Sequence, residues 1–240
     1  MAEVSVCAVV ADAAAVGQQQ RPPEFVEVVG ADGIAGAVGR AAATGATWLW
    51  LLDDSVTPAP GALQALIESV AHSRELGDPI LMTSMVVTPD GELDLSAAPW
   101  PRLFWRENAI QGAEHRLVAV RAVCWGSMIV HRRALDVHGP PRPDFAGADD
   151  DLEWTGRLLR DAPGYLVPGS SAVRPAAVAA DATARTRSRV RILRGQAWAG
   201  TDRVWFAFRL LRGGLVATLA KPASLPRLLW AAVAGLWARA

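Results

Sequence analysis

Two acidic clusters carry the side chains of this sequence best suited to chemistry. Asp53 and Asp54 follow the apolar run WLWLL and precede Ser55 and Pro58. Asp149, Asp150, Asp151 and Glu153 crowd together further on, with Trp154 and Arg157 directly after them. Carboxylates delivered at the end of an apolar strand suit a divalent cation with a phosphate-bearing ligand, or the hydroxyls of a ribose. An Asx turn, or the N-cap of a helix entered at Pro60, accounts for the first pair equally well. Acids at a helix start are favoured by the helix dipole, which explains one or two members of the second cluster. Four acids so close repel one another. A positioned carboxylate acting as general base toward an alcohol is the additional use that fits.

The elements that must position these acids are legible from period and composition. VSVCAVV (Val4 to Val10) and FVEVVG (Phe25 to Gly30) are continuous apolar runs, the pattern of strands buried on both faces. WLWLL is a third strand, PILMTSMVV a fourth, and GYLVPGSSAV a last short one. Between them, GIAGAVGRAAATGA reads as a helix ending near Gly45. Leu63, Leu66, Ile67 and Val70 repeat with helical spacing behind Pro60. RLVAVRAVCWGSMIV is strand-like with an interruption at Gly126 and Ser127, HRRALDVHG is a short helix, and DDDLEWTGRLLRD is a helix that opens on its acids. Leu93 to Arg116 lacks periodicity and reads as a long loop. Strands alternating with helices predict an α/β fold, a mostly parallel sheet flanked by helices. In such sheets ligands gather at the C-terminal strand ends, which is where Asp53 and Asp54 fall.

Composition sets outer limits. The 240 residues are 51% hydrophobic, enough for a sizeable core, and the 24 acids balance 24 bases, which argues against a general nucleic-acid binder. Cys7 and Cys124 lie far apart in apolar stretches and read as thiols in a reducing compartment. The start does not resemble a secretory leader. Leu215 to Trp237 is the most apolar stretch, but Lys221, Pro222, Pro226 and Arg227 interrupt it as a membrane span.

Residues 1–180 and 181–240 differ in character, the second part being a helical tail that mixes arginines with Trp, Phe and Leu. Such a tail either covers the sheet or meets an anionic membrane surface, and the second reading is preferred. Gly30, Gly33, Gly36 and Gly39 recur every third residue, a spacing closer to a packed helix than to a dinucleotide loop. His72, His115, His131 and His138 share no ligand spacing. Trp100, Trp105 and Trp125 suit sugar stacking, with packing as the plainer account of each.

Three segments in register, WLWLLDDSVTPAPGAL, GSMIVHRRALDVHGPPRPDF and DDDLEWTGRLLRDAPGYLVPGSSAV, resemble family-2 glycosyltransferases of the GT-A fold. The likeness is greatest to bacterial rhamnosyl- and galactofuranosyltransferase-like members and runs from about Val26 to Val173. It implies an inverting transfer of sugar from a nucleotide-diphosphate donor to a hydroxyl of a glycan or lipid-linked acceptor. Asp151 would be the general base, with Asp150 and Glu153 beside it. Asp53, Asp54, Ser55, Gly126, Ser127 and Arg174 would line the donor side, Trp125 and Trp154 the acceptor side. Mg²⁺ or Mn²⁺ would sit at Asp53. The implied setting is the cytoplasm, at the inner face of the cell membrane.

The departures from the family pattern are equally specific. Ser55 stands where the family carries a third aspartate, and Arg174 near the place of a histidine that often ligates metal. Both changes weaken a cation site, and a guanidinium is itself a diphosphate partner. Asp12 to Pro23 lacks the Asp-rich turn that holds uridine or thymidine in the family, while VVGADGIAGAVGRA resembles a later family segment with Asp32 near its usual asparagine. These departures keep a non-catalytic GT-A-like domain that binds a glycan or protein partner as the alternative. The glycine run keeps a Rossmann-type nucleotide binder as the second.

Overall fold

The computed structural model describes residues 4–102, 106–145, 149–175, 182–195, 197–198 and 200–208. In chain order the elements are β1 (Val6–Val10), β2 (Phe25–Val28), α1 (Gly33–Ala43), β3 (Trp48–Leu52), β4 (Thr57–Pro58), α2 (Ala62–His72), β5 (Leu81–Val87), β6 (Trp100–Pro101) and α3 (Arg106–Glu114). They continue with β7 (Val118–Ala122), β8 (Ser127–His131), α4 (Arg133–His138), α5 (Asp150–Leu158), β9 (Gly164–Val173) and α6 (Ala182–Arg194). The strands lie in the order β2-β1-β3-β8-β5-β9-β7-β6, with β4 paired to β9 off that path. β8 runs antiparallel to both β3 and β5, and β7 antiparallel to β9 and β6. The other strands on the path therefore run one way, so the sheet is mostly parallel. Leu52, Val87 and Val173 bring β3, β5 and β9 out at one edge.

Alternating side chains divide between two layers, as period-2 strands require. Ala8, Val10, Trp50 and Ile129 pack with Leu63, Leu66, Ile67 and Val70 of α2. Cys7, Val9, Leu49, Leu51, Met128 and Val130 pack with Ala37, Val38 and Ala41 of α1 and with Trp154 and Leu158 of α5. Each of the larger side chains of α2 removed from water contributes roughly 1.5–3 kcal/mol.

Three sequence readings need correction, the first being β2, which is not buried on both faces but lies at the end of the strand order with Phe25, Val26 and Val28 exposed. The stretch from Leu93 to Arg116 is not all loop, since it holds β6 and α3. α3 escaped notice because its buried position is Gly112, close against the Tyr165 ring, while Ile110 is exposed. The strand-like run at 116–130 is two strands with different neighbours, not one interrupted strand. The expected helix is present: Gly33, Gly36 and Gly39 lie in α1, which Gly33 opens, and the Asp32 side chain folds back over Gly36, where a Cβ has no room. These glycines are helical rather than looped, which removes the main support for a dinucleotide loop.

The described residues from 192 to 206 join the same body. Ile192, Ala197, Trp198 and Phe206 form one buried cluster with Trp100, Ala122, Phe145 and Leu152. Trp100 is thus a core residue, packed at 4.9–5.5 Å between ring centroids against Trp198, Trp205 and Phe206. Trp105 and the stretch Leu215 to Trp237 lie outside the described residues. Among the described residues no helix is long and apolar enough to cross a membrane.

Candidate functional site

The C-terminal ends of β3 and β9 meet the start of α5 around Trp125. At the end of β3, Asp53 donates its backbone N–H to the Gly126 carbonyl at 2.8 Å. Its Oδ1 accepts the Ser55 N–H at 2.9 Å and the Ser55 hydroxyl as well. This is the Asx turn that composition allowed; α2 begins at Ala62 with Gly61 as its cap, so Asp53 and Asp54 cap no helix. Asp53 is half-buried and Asp54 exposed. Asp53 Oδ2 has no partner among the described residues.

Gly126 lets β8 approach β5 closely, for a Cβ there would meet Val86 Cγ2 at 2.8 Å. Ser127 is buried: its hydroxyl accepts from Trp50 Nε1 at 3.1 Å and from Ser84 Oγ at 2.8 Å. It supports the sheet edge from inside and offers nothing to a donor.

α5 opens on the second acidic cluster, and its four acids go separate ways. Asp149 pairs with Arg189 of α6 at 3.0 Å. Glu153 is buried and holds Arg157 through two bonds of 3.0 and 3.1 Å. The predicted place of Glu153 beside a reacting group is corrected accordingly, since its carboxylate is committed to Arg157. Trp154 is likewise corrected: it is fully buried, with Nε1 donating to the Gly139 carbonyl at 3.0 Å, so no face is left for an acceptor.

Asp150 and Asp151 instead bind Trp125. Asp150 Oδ1 accepts from Trp125 Nε1 at 2.9 Å, and Asp151 Oδ2 accepts from the Trp125 backbone N–H at 2.8 Å. Thr155, one turn further along α5, bonds both the N–H and the carbonyl of Val123, so the 123–125 segment lies along the helix. Burial pushes the Asp151 carboxyl up to about 7; the Trp125 N–H opposes this, and the negative Asp150 and Asp149 add to it. Asp150 is also raised, by burial first, against the bond from Trp125.

Arg174, directly after β9, joins the two ends. Its Nε donates to Ser55 Oγ at 3.1 Å, its Nη2 to the Trp125 carbonyl at 2.9 Å, and its Nη1 to Asp94 Oδ2 at 3.1 Å. Asp53, Ser55, Arg174, Trp125, Asp150 and Asp151 thus form one continuous network at one edge of the sheet. Asp94 was not foreseen. Its signal was a repeated pattern: Asp94 Oδ1 accepts the Ser96 N–H at 2.9 Å and the Ser96 hydroxyl at 2.6 Å, the same Asp-x-Ser turn as Asp53 and Ser55. Asp94 lies below its usual pKa: burial raises it, but the bonds from Ser96 and Arg174 outweigh burial.

Solved structures are similar in fold. The crystal structure of GalNAc-T7 with UDP, GalNAc and Mn²⁺ superposes with a TM-score of 0.56 at 12% identity. TarS of S. aureus, residues 1-349, superposes with a TM-score of 0.51 at 9% identity. Both are GT-A-type glycosyltransferases. The fold is GT-A. The alignments cover 85% and 79% of this chain, which spans 49% of the GalNAc-T7 chain and 64% of the TarS chain. No family model matches the sequence, and no curated protein matches it.

The GT-A neighbour with Mn²⁺ makes the cation question concrete. Among the described residues no three His, Cys, Asp or Glu side chains are grouped to hold a metal ion. Asp53 has one oxygen engaged by Ser55, Asp54 is exposed to solvent, and Asp94 is paired with Arg174. Hard divalent cations take several oxygen ligands, and a guanidinium bonded to Ser55 repels them. The donor set here does not by itself make a resident cation site, and a divalent ion at Asp53 would need oxygens from a phosphate ligand.

Proposed function

We propose that this GT-A domain transfers a sugar from a nucleotide-diphosphate donor to a hydroxyl of a glycan or lipid-linked acceptor, with inversion at the anomeric carbon. The observation that carries the reading is Asp151: a carboxyl with its pKa pushed up to about 7, fixed by the Trp125 N–H in the network that includes Asp53. A general base works best when its pKa lies near the working pH. Asp151 takes the acceptor's hydroxyl proton as that oxygen forms its bond to the anomeric carbon. The bond from that carbon to the diphosphate oxygen breaks in the same step, and the nucleoside diphosphate leaves with the electron pair. Asp53 and Asp54 bound the donor side and Trp125, partly exposed, the acceptor side. Asp150 is a positioning residue that fixes the Trp125 indole.

The tail fits this reading as the part that keeps the domain at the inner face of the membrane, where lipid-linked acceptors lie. Its Arg and Trp-rich end falls in residues 209–240, outside the described residues.

A non-catalytic domain that binds a glycan or a protein is the second reading. It is favoured by the engagement of both Asp151 oxygens in backbone bonds, from Trp125 and Leu152. One experiment separates the two. Native protein and Asp151→Asn are supplied with a panel of nucleotide-sugars and acceptors, and released nucleoside diphosphate and donor binding are both measured. Turnover in the native chain, lost in the variant with donor binding kept, is the expected result. Donor or glycan binding without turnover in either protein overturns the catalytic reading and favours the second.

A further inference from the structure

The network at the sheet edge contains four carboxylates: Asp94 bonded directly to the Arg174 guanidinium, Asp53 linked to it through Ser55, and Asp150 and Asp151 through Trp125. That guanidinium is 9% exposed and the Asp94 side chain 12% exposed, so the pair is held largely out of water. Asp94 is delivered by a tight return after β5. Thr88 N–H donates to the Glu92 carbonyl at 2.8 Å, Gly91 turns with φ +82°, and Asp94 N–H returns to the Val86 carbonyl at 3.0 Å. Arg174 N–H is bonded to the Val87 carbonyl at 2.8 Å, so cation and anion are anchored to the same strand end. At the base of this return, the Thr88 hydroxyl is buried with no hydrogen-bond partner among the described residues. A buried hydroxyl left unpaired is costly, so this return is held less tightly than its backbone bonds alone suggest.

An anion approaching this edge meets carboxylates, and the cation that would receive it is already neutralised. The geometry points to Asp94 as a resident counter-anion that occupies the place of a donor's diphosphate. This inference rests on the reading of the edge as a nucleotide-diphosphate site. A nucleoside diphosphate takes Arg174 over from Asp94, the return at 88–94 gives way, and no divalent cation takes part. Arginine is suited to the exchange because its planar fork accepts carboxylate and phosphate oxygens in the same geometry.

The test is titration calorimetry with inorganic pyrophosphate and with UDP, in the presence of a chelator and then with Mn²⁺. The proteins are the native chain, Asp94→Asn, Arg174→Gln and the double variant. Asp94→Asn should bind pyrophosphate at least about tenfold more tightly than the native chain, because one competing charge is gone. Arg174→Gln should bind at least about tenfold more weakly, and the double variant should show no gain over Arg174→Gln. Should Asp94→Asn fail to fold alone, pyrophosphate should refold it by replacing the lost carboxylate; absence of refolding overturns the inference. Equal or weaker pyrophosphate binding by a folded Asp94→Asn overturns it too. So does a native affinity that requires Mn²⁺ and disappears in Asp94→Asn, which would make Asp94 a metal ligand. Turnover is read separately. The expected pyrophosphate pattern without sugar transfer removes the transferase reading alone, and transfer with an unchanged Asp94→Asn removes the counter-anion alone.

Discussion

Asp151 is pulled in opposite directions by its surroundings. Two backbone N–H groups stabilise its charge, while burial and the adjacent Asp150 and Asp149 oppose it, and the opposition prevails. For a general base this sets the direction of the rate profile: kcat should climb with pH, reach half its plateau near 7 and stay level above. In Asp151→Asn, turnover should drop about 10²- to 10⁴-fold and lose that inflection. The same shift acts on stability. An ordinary aspartate releases its proton near 3.8, as Asp151 does in the unfolded chain, whereas the folded chain keeps it to about 7. Between those values the folded state binds the extra proton, so stability from this group is full below about pH 4 and declines as pH rises to 7. Thermal midpoints across this range should fall more steeply for the native chain than for Asp151→Asn. Parallel slopes would mean that Asp151 titrates normally.

At the scale of elements, the site depends on how closely β8 lies to β5. Gly126→Ala places a methyl group against Val86 and disturbs the carbonyl that holds Asp53. A loss of about 1–3 kcal/mol in urea unfolding is expected, and Val86→Ala in the same chain should recover part of it. If Gly126→Ala alone leaves the midpoint unmoved, the approach is looser than described. The strands of this edge were readable because WLWLL and VSVCAVV are buried on both faces and so are apolar throughout. The site residues divided along a physical line. Asp53, Asp150 and Asp151 stood out because charges next to apolar runs are conspicuous. Glu153 stood out equally, yet helical geometry turns it to Arg157, an i, i+4 pair that the sequence spacing already offered. Asp94 was hidden because its role comes from a chain return that brings it beside Arg174, 80 positions later. Ser127 and Trp154 were placed at the ligand by likeness of motif, whereas strand and helix phase put both inside.

The whole molecule closes on a buried arginine. Arg121 of β7 is 1% exposed; its Nε bonds Asp202, its Nη1 the Gly156 carbonyl at 2.6 Å, and its Nη2 the Ala197 carbonyl at 2.7 Å. The guanidinium also lies 4.4 Å from the centre of the Trp198 ring. A buried charge is costly unless paired, so Asp202→Ala should destabilise the chain by about 3–5 kcal/mol in denaturant unfolding. A chain ending at residue 180 should fail to unfold cooperatively, since Trp100, Phe145 and Leu152 lose the cover of Ile192, Trp198 and Phe206. A truncated chain as stable as the full one would make the later residues an appendage.

Gly156 belongs to α5, the helix whose first turn holds Asp151. A pull on Asp202 passes through the Arg121 guanidinium to the Gly156 carbonyl, and ends on the element that aims the base. Asp202 is thus roped to the helix that aims the base, so whatever displaces Asp202 displaces the orientation of Asp151 with it.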